Sequence, residues 1–189
     1  MTRSASDTVR RALVLTGFMG VGKTVTGREL SRLTGMPLYD TDLLIEERTG
    51  LTVAEIFARK GETFFRDAET ELLQQLAASP HRFILATGGG IVQRLENREL
   101  LRRIGVVVNL TADPENILAR IRLEPGVRPL LQVPDPEVEV RRLLAAREAA
   151  YADCDVRIRT DCRTPAEVAA EILRCIAAVQ CDSTAGGAA

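Results

Sequence analysis

Residues Gly17-Phe18-Met19-Gly20-Val21-Gly22-Lys23-Thr24 spell GxxxxGKT, a spacing with one well-defined chemical use. Glycines let successive backbone N–H groups turn onto phosphate oxygens, and a helix that starts at the same point adds the positive end of its dipole. Lys23 then offers a point charge to the β/γ-phosphates, and the Thr24 hydroxyl a ligand to magnesium. A nucleotide is the expected ligand. Asp40-Thr41-Asp42 supplies two carboxylates one residue apart. One could complete the outer shell of the metal while the other reaches an acceptor hydroxyl, or either could cap a helix beginning near Leu43. Gly88, Gly89 and Gly90 permit close approach of backbone to a ligand, or a tight turn. Arg66, Arg128 and Arg147 are planar cations suited to a carboxylate or a phosphate, although each taken alone also fits a solvated helix face.

The elements that must position these residues alternate along the chain. Short β-rich runs at 12–15, 38–39, 83–86, 106–110 and 156–159 are each followed by a helix-competent segment. That order predicts a parallel sheet covered by helices on both faces, with ligands at the carboxyl ends of the strands. The first run leads straight into the glycine loop. The helix after it carries Leu30 and Leu33 on its apolar stripe and closes at Gly35. Helix starts stand at Asp113-Pro114-Glu115 and at Thr164-Pro165-Ala166-Glu167, the second a capping box with proline at the first helical position. Gly50 and Gly61 bracket a short helix over 51–60, followed after a break by a longer one over about 64–78. Together these read as an inserted helical subdomain, not a βα crossover. Residues 123–136 hold four prolines and a glycine without a clean period, which predicts a mobile flap between two helices.

Composition narrows the chemistry. At 189 residues, 46% hydrophobic and 27% charged, the chain suits one soluble domain, here taken as 11–180 with disordered ends at 1–10 and 181–189. A net charge of -1 gives no reason to expect nucleic acid, so anion recognition must be local. No apolar run approaches a membrane span and the first residues lack a secretory pattern, so no membrane partner and a cytoplasmic location are expected. The four cysteines have no C-x-x-C spacing and read as reduced structural thiols. The single histidine, His81, follows Ser79-Pro80 in an expected exposed turn. A Ser/His/Asp triad or a histidine zinc centre therefore has no imidazole to use, and acid/base work falls to carboxylates.

With GFMGVGKT, the aspartates of YDTD, GETFFR, ATGGG and VRPLL in this order, the chain from 11 to 179 resembles the shikimate kinases, small members of the P-loop nucleoside monophosphate kinase-like group. The resemblance implies an α/β fold, a five-stranded parallel sheet with a lid around Arg128 and a helical substrate-binding subdomain. It implies ATP as co-substrate, bound by Gly20, Val21, Gly22, Lys23, Thr24, Val25 and Arg128, with adenine flanked by Arg120 and Pro165. Shikimate would meet Asp42, Phe57, Phe65, Arg66, Gly88, Gly89, Gly90 and Arg147, with its carboxylate on Arg66 and Arg147. Thr24 and Asp40 would hold Mg2+, Asp40 through water. Lys23, Asp42 and Arg128 would be the catalytic set, working in a monomer. One departure is local: where the family carries Pro-Leu-Tyr shortly after the matched arginine, this chain has Arg147-Glu148-Ala149-Ala150-Tyr151. A gluconate kinase shares the architecture, and a nucleotide-binding regulatory module could share the loop. GETFFR and VRPLL speak against the first, and a retained Asp42 against the second. A GTPase lacks its N-K-x-D segment here.

Overall fold

The computed structural model describes residues 12–123 and 135–185, with side chains described as far as residue 178. Five strands, β1 (Ala12–Thr16), β2 (Leu38–Asp40), β3 (Phe83–Ala86), β4 (Gly105–Thr111) and β5 (Val156–Arg159), form one parallel sheet in the order β2-β3-β1-β4-β5. All five expected strands are present. β1 and β3 are buried along their whole length, as their unbroken apolar runs require of strands covered on both faces. β1 occupies the middle of the sheet, and the chain leaves it toward β2 on one side before returning to β4 on the other. Such a reversal opens a crevice at the carboxyl edge of the central strands.

Among the described residues, seven α-helices follow in turn: α1 (Lys23–Thr34), α2 (Thr41–Thr49), α3 (Val53–Ala77), α4 (Leu95–Ile104), α5 (Pro114–Leu123), α6 (Pro136–Ala152) and α7 (Pro165–Ala185). α1 packs against α7 and α3 against α4. The main core runs through the sheet, from Val14, Leu15 and Leu85 to Ile117 and Ile172. The caps follow the sequence. Gly35 closes α1 in a left-handed conformation, and Thr164 and Glu167 exchange bonds of 2.7 and 3.3 Å at the start of α7.

Two expectations need correction. β2 pairs in parallel with β3, so the segments 51–60 and 64–78, which correspond to the two halves of α3, belong with α2 to the crossover of that pair and are not an insertion outside it. With α2, α3 carries a small core of its own, Ile45, Ile56, Phe65 and Leu72, and Gly61 (φ 82°, ψ 170°) kinks α3 where the break was expected. At the other end, α7 continues to Ala185, so the tail expected to be disordered from 181 is helical over its first five residues. No glycine or proline interrupts 166–185. Among the described residues no helix is long and apolar enough to cross a membrane, and Cys154, Cys162 and Cys175 are free. The segment expected as a flap, with Arg128, falls for the most part outside the described residues, as do the first eleven positions.

Candidate active site

β1 delivers the glycine loop to the centre of the carboxyl edge. Gly17 has φ 134°, and a Cβ there would lie 2.3 Å from the Leu110 carbonyl oxygen, so only glycine lets the chain turn over the end of β4. Gly22, left-handed at φ 93°, caps α1, and Lys23 opens the helix. The Lys23 ammonium donates to the carbonyls of Gly17 (2.9 Å) and Phe18 (2.7 Å), which draws it across the loop. The Thr24 hydroxyl donates to Asp40 Oδ2 at 3.0 Å. Asp40 also caps α2, its Oδ1 accepting from the Asp42 amide at 3.0 Å. Capping and a place beside Thr24 are thus compatible in one side chain.

Beside the loop lies a cavity of about 270 Å³ walled by Gly20, Val21, Gly22, Val25, Arg120 and Pro165. Thr160 and Arg163 also line it, and sequence reasoning did not single them out. Thr160 is buried at the end of β5. Its hydroxyl lies 3.0 Å from the Val21 carbonyl, to which it donates, and accepts from Arg120 Nη1 at 2.9 Å, while Arg120 Nη2 donates to the Thr160 carbonyl at 2.8 Å. A small polar residue at a strand end has no signal that marks it out from a turn.

On the other side of the loop, Asp42 stands in the first turn of α2 with Oδ1 buried and without a hydrogen-bond partner. Burial pushes its pKa up to about 6, Asp40 adds to the rise, and Lys23 and Arg66 oppose it. Arg66, from α3, donates to Glu69 Oε2 at 2.8 Å and to Glu62 Oε1 at 3.0 and 3.1 Å. Its guanidinium carbon lies 5.5 Å from the centre of the Phe65 ring and 6.0 Å from that of Phe57, within the range of cation–π attraction. The two rings are themselves 5.1 Å apart. Glu69 is fully buried, with Oε1 unpartnered, and burial drives its pKa up to about 7 against the pull of Arg66. The signal for Glu69 was present, since it follows Arg66 by three residues on a helix and Glu62 precedes Arg66 by four, so all three share a face.

The three glycines after β3 fit between these groups. A Cβ on Gly88 would come within 2.5 Å of Asp42 Oδ1, and one on Gly90 within 2.4 Å of Arg66 Nη2. At Gly89 it would lie 3.3 Å from the Met19 nitrogen of the phosphate loop. Arg147, on α6, is buried with its guanidinium carbon 5.8 Å from the Phe18 ring centre, and Tyr151, one turn later, donates to the Gly89 carbonyl at 2.6 Å. Asp42, Phe57, Phe65, Arg66 and the glycines thus gather on one side of the loop, and Arg120 and Pro165 on the other. Arg147 reaches the first group through Phe18 and Tyr151.

A parallel sheet with a GxxxxGKT loop at the end of its central strand, and with carboxylates and arginines on the same edge, is the framework of a P-loop kinase. The family model described as shikimate kinase matches residues 19–177. A shikimate kinase of Symbiobacterium thermophilum is 49% identical over 164 residues, covering 85% of this chain and 93% of the relative. One from Geobacter sulfurreducens is 46% identical over 162 residues, 86% and 88% of the two chains. Among solved structures, shikimate kinase from Acinetobacter baumannii in complex with shikimate is similar with a TM-score of 0.82 at 37% identity, over 93% of this chain and 98% of that one. A gluconokinase from Sinorhizobium meliloti 1021, at 15% identity and a TM-score of 0.57, shares the fold alone. The chain belongs to the shikimate kinase family.

Proposed function

We propose that this enzyme, a kinase with ATP as co-substrate, transfers the γ-phosphoryl group to the 3-hydroxyl of shikimate, giving shikimate 3-phosphate for aromatic amino-acid biosynthesis in the cytoplasm. The observation that carries the reading is Asp42 Oδ1: a buried, unpartnered carboxylate oxygen set between the phosphate loop and Arg66. Buried polar atoms are held by partners in nearly all proteins, so an orphan aimed at the glycine turn awaits a donor, which a substrate hydroxyl is. In this role Asp42 orients the acceptor hydroxyl and takes up its proton. Arg66 and Arg147 hold the carboxylate of shikimate, with Phe57 and Phe65 beside the ring and the glycines 88–90 allowing its close approach. The loop amides of Gly20, Val21 and Gly22 with Lys23 cradle the phosphates, Val25, Arg120 and Pro165 enclose the adenine, and Arg128, assigned from its VRPLL setting, meets phosphate charge.

The residues present fit Mg2+. Thr24 and Asp40 offer a hydroxyl and a carboxylate 3.0 Å apart, and among the described residues no group of three or more His, Cys, Asp or Glu could hold an ion alone. Mg2+ is characteristically bound by one or two protein oxygens and completed by water and substrate phosphates. When bound it would neutralise charge on the phosphates.

A coupled ADP-release assay with Mg-ATP and shikimate, quinate, gluconate or no acceptor tests the assignment. Release should depend on shikimate. Release no faster with shikimate than without it, yet faster with another polyol acid, would overturn the substrate.

A further inference from the structure

We infer that the Tyr151 hydroxyl is a positioning group for this transfer, one that fixes the Gly89 peptide between the acceptor site and the phosphate loop. The inference rests on the function proposed above. Tyr151 is one of two tyrosines in the chain and is 4% exposed near the end of α6. A buried phenol must find a partner for its hydroxyl, and this one reaches 62 residues back in sequence to the carbonyl of Gly89, at 2.6 Å. That carbonyl belongs to the peptide whose other half is the amide of Gly90. In a trans peptide the N–H points opposite to the C=O, so the tyrosine sets the direction of the Gly90 N–H, away from α6.

The neighbours of this peptide are the site. Gly88 abuts Asp42 and Glu69, Gly90 abuts the Arg66 guanidinium, and a methyl on Gly89 would come within 3.3 Å of the Met19 nitrogen and 3.5 Å of the Gly17 carbonyl oxygen. A flexible turn of three glycines has little rigidity of its own. The turn therefore needs an external hold, and Tyr151 provides one at its central residue. Arg147 stands one turn earlier on α6, near enough for its charge to pull on the phenol, so the tyrosine lies between the arginine assigned to the shikimate carboxylate and the turn on which shikimate would lie. Burial raises the phenol pKa to about 12, against the pull of Arg147 and Arg66, so the group remains a donor at neutral pH.

Tyr151→Phe keeps the ring and removes only the oxygen. The expected result is a fall of about tenfold in kcat/KM for shikimate, with KM for ATP changed less than about twofold; tenfold corresponds to about 1.4 kcal/mol, the scale of one lost hydrogen bond. Amide exchange across residues 89–92 should be faster than in the wild type. A merely structural tyrosine would lower Tm and leave the shikimate parameter where it was. Unchanged kcat/KM for shikimate, or equal losses for both substrates, would overturn the inference. If the wild type itself shows no shikimate-dependent ADP release, the functional reading has failed, and the exchange measurement alone decides whether Tyr151 holds the turn: faster exchange in the variant supports it, and identical exchange refutes it.

Discussion

Asp42 and Glu69 meet across Gly88. Each has one carboxylate oxygen buried without a partner, and a Cβ at Gly88 would lie 2.5 Å from the one on Asp42 and 3.2 Å from the one on Glu69. Two acids in one dry site ionise in succession, the burial that raises both being reinforced by the charge of the first on the second. Asp42, drawn up to about 6, has Lys23 and Arg66 pulling it back. Glu69, drawn up to about 7, keeps its other oxygen on Arg66. The division this suggests is that Asp42 receives the substrate proton while Glu69 holds the arginine.

Gly88→Ala should test how exactly placed Asp42 must be. The added methyl cannot occupy a point 2.5 Å from Oδ1, so the carboxylate or the turn has to move. A displacement of about 1 Å at a reacting group can cost ~10²-fold, and a loss of that order in kcat is expected, with KM for ATP little altered. Steady-state kinetics on the folded variant would show it. A near-normal kcat would mean that the Asp42 position seen here is not the reactive one.

Glu69→Gln should change the pH dependence of stability. A carboxyl whose folded pKa of about 7 exceeds the unfolded value of 4.5 binds its proton more tightly in the native state. Its contribution is therefore fully present below about pH 4.5 and is lost as the pH rises through about 7. The amide has no such dependence. Thermal unfolding of both proteins between pH 4.5 and 8 should show the difference in Tm shifting steadily in favour of the variant up to about 7 and levelling above it. A difference that does not vary with pH, or that moves in favour of the wild type, would place the Glu69 pKa at or below its ordinary value.

Much of this arrangement was legible in the chain because local chemistry set it. The glycine loop, the apolar strand runs and the Thr164 and Glu167 cap are each specified by residues a few positions apart, and the sheet edge then follows from topology. What was not legible depends on contacts distant in sequence. Thr160 reaches Val21 and Arg120, Tyr151 reaches Gly89, and nothing within a few residues of either position says so. The reading of 51–60 and 64–78 as an insertion failed for a similar reason. Whether two helices lie outside a sheet or connect neighbouring strands depends on which strand lies next to β2, and that neighbour is β3.

Thr160→Val should act on the nucleotide side alone. The substitution preserves shape while removing an oxygen shared by the Val21 carbonyl and Arg120. Losing a bond of this kind costs about 0.5–1.5 kcal/mol, so KM for ATP should rise by roughly twofold to tenfold while KM for shikimate stays near its wild-type value. Thr160→Ser, which restores the hydroxyl, should recover most of the loss. Equal weakening of both substrates, or no recovery in the serine variant, would count against a role confined to the loop and the cavity proposed for adenine.

Asn109→Leu should stabilise the protein. Asn109 lies fully buried in β4, in register with Thr16 on one side and Arg157 on the other, and neither Oδ1 nor Nδ2 has a hydrogen-bond partner. An unpaired buried polar group costs about 1–3 kcal/mol, and leucine has the same number of side-chain heavy atoms, though bulkier ones, with no polar atom to desolvate. The replacement therefore removes a penalty and adds apolar burial, at the risk of a small misfit from the different branching. A chain of this length gains about 2–4 °C in Tm for each kcal/mol, so calorimetry can resolve even the lower end of that range. A rise in Tm identifies the asparagine as a cost carried by the sheet. A fall would mean that the misfit of the bulkier side chain, or the loss of an amide satisfied by an internal water, outweighs the penalty removed.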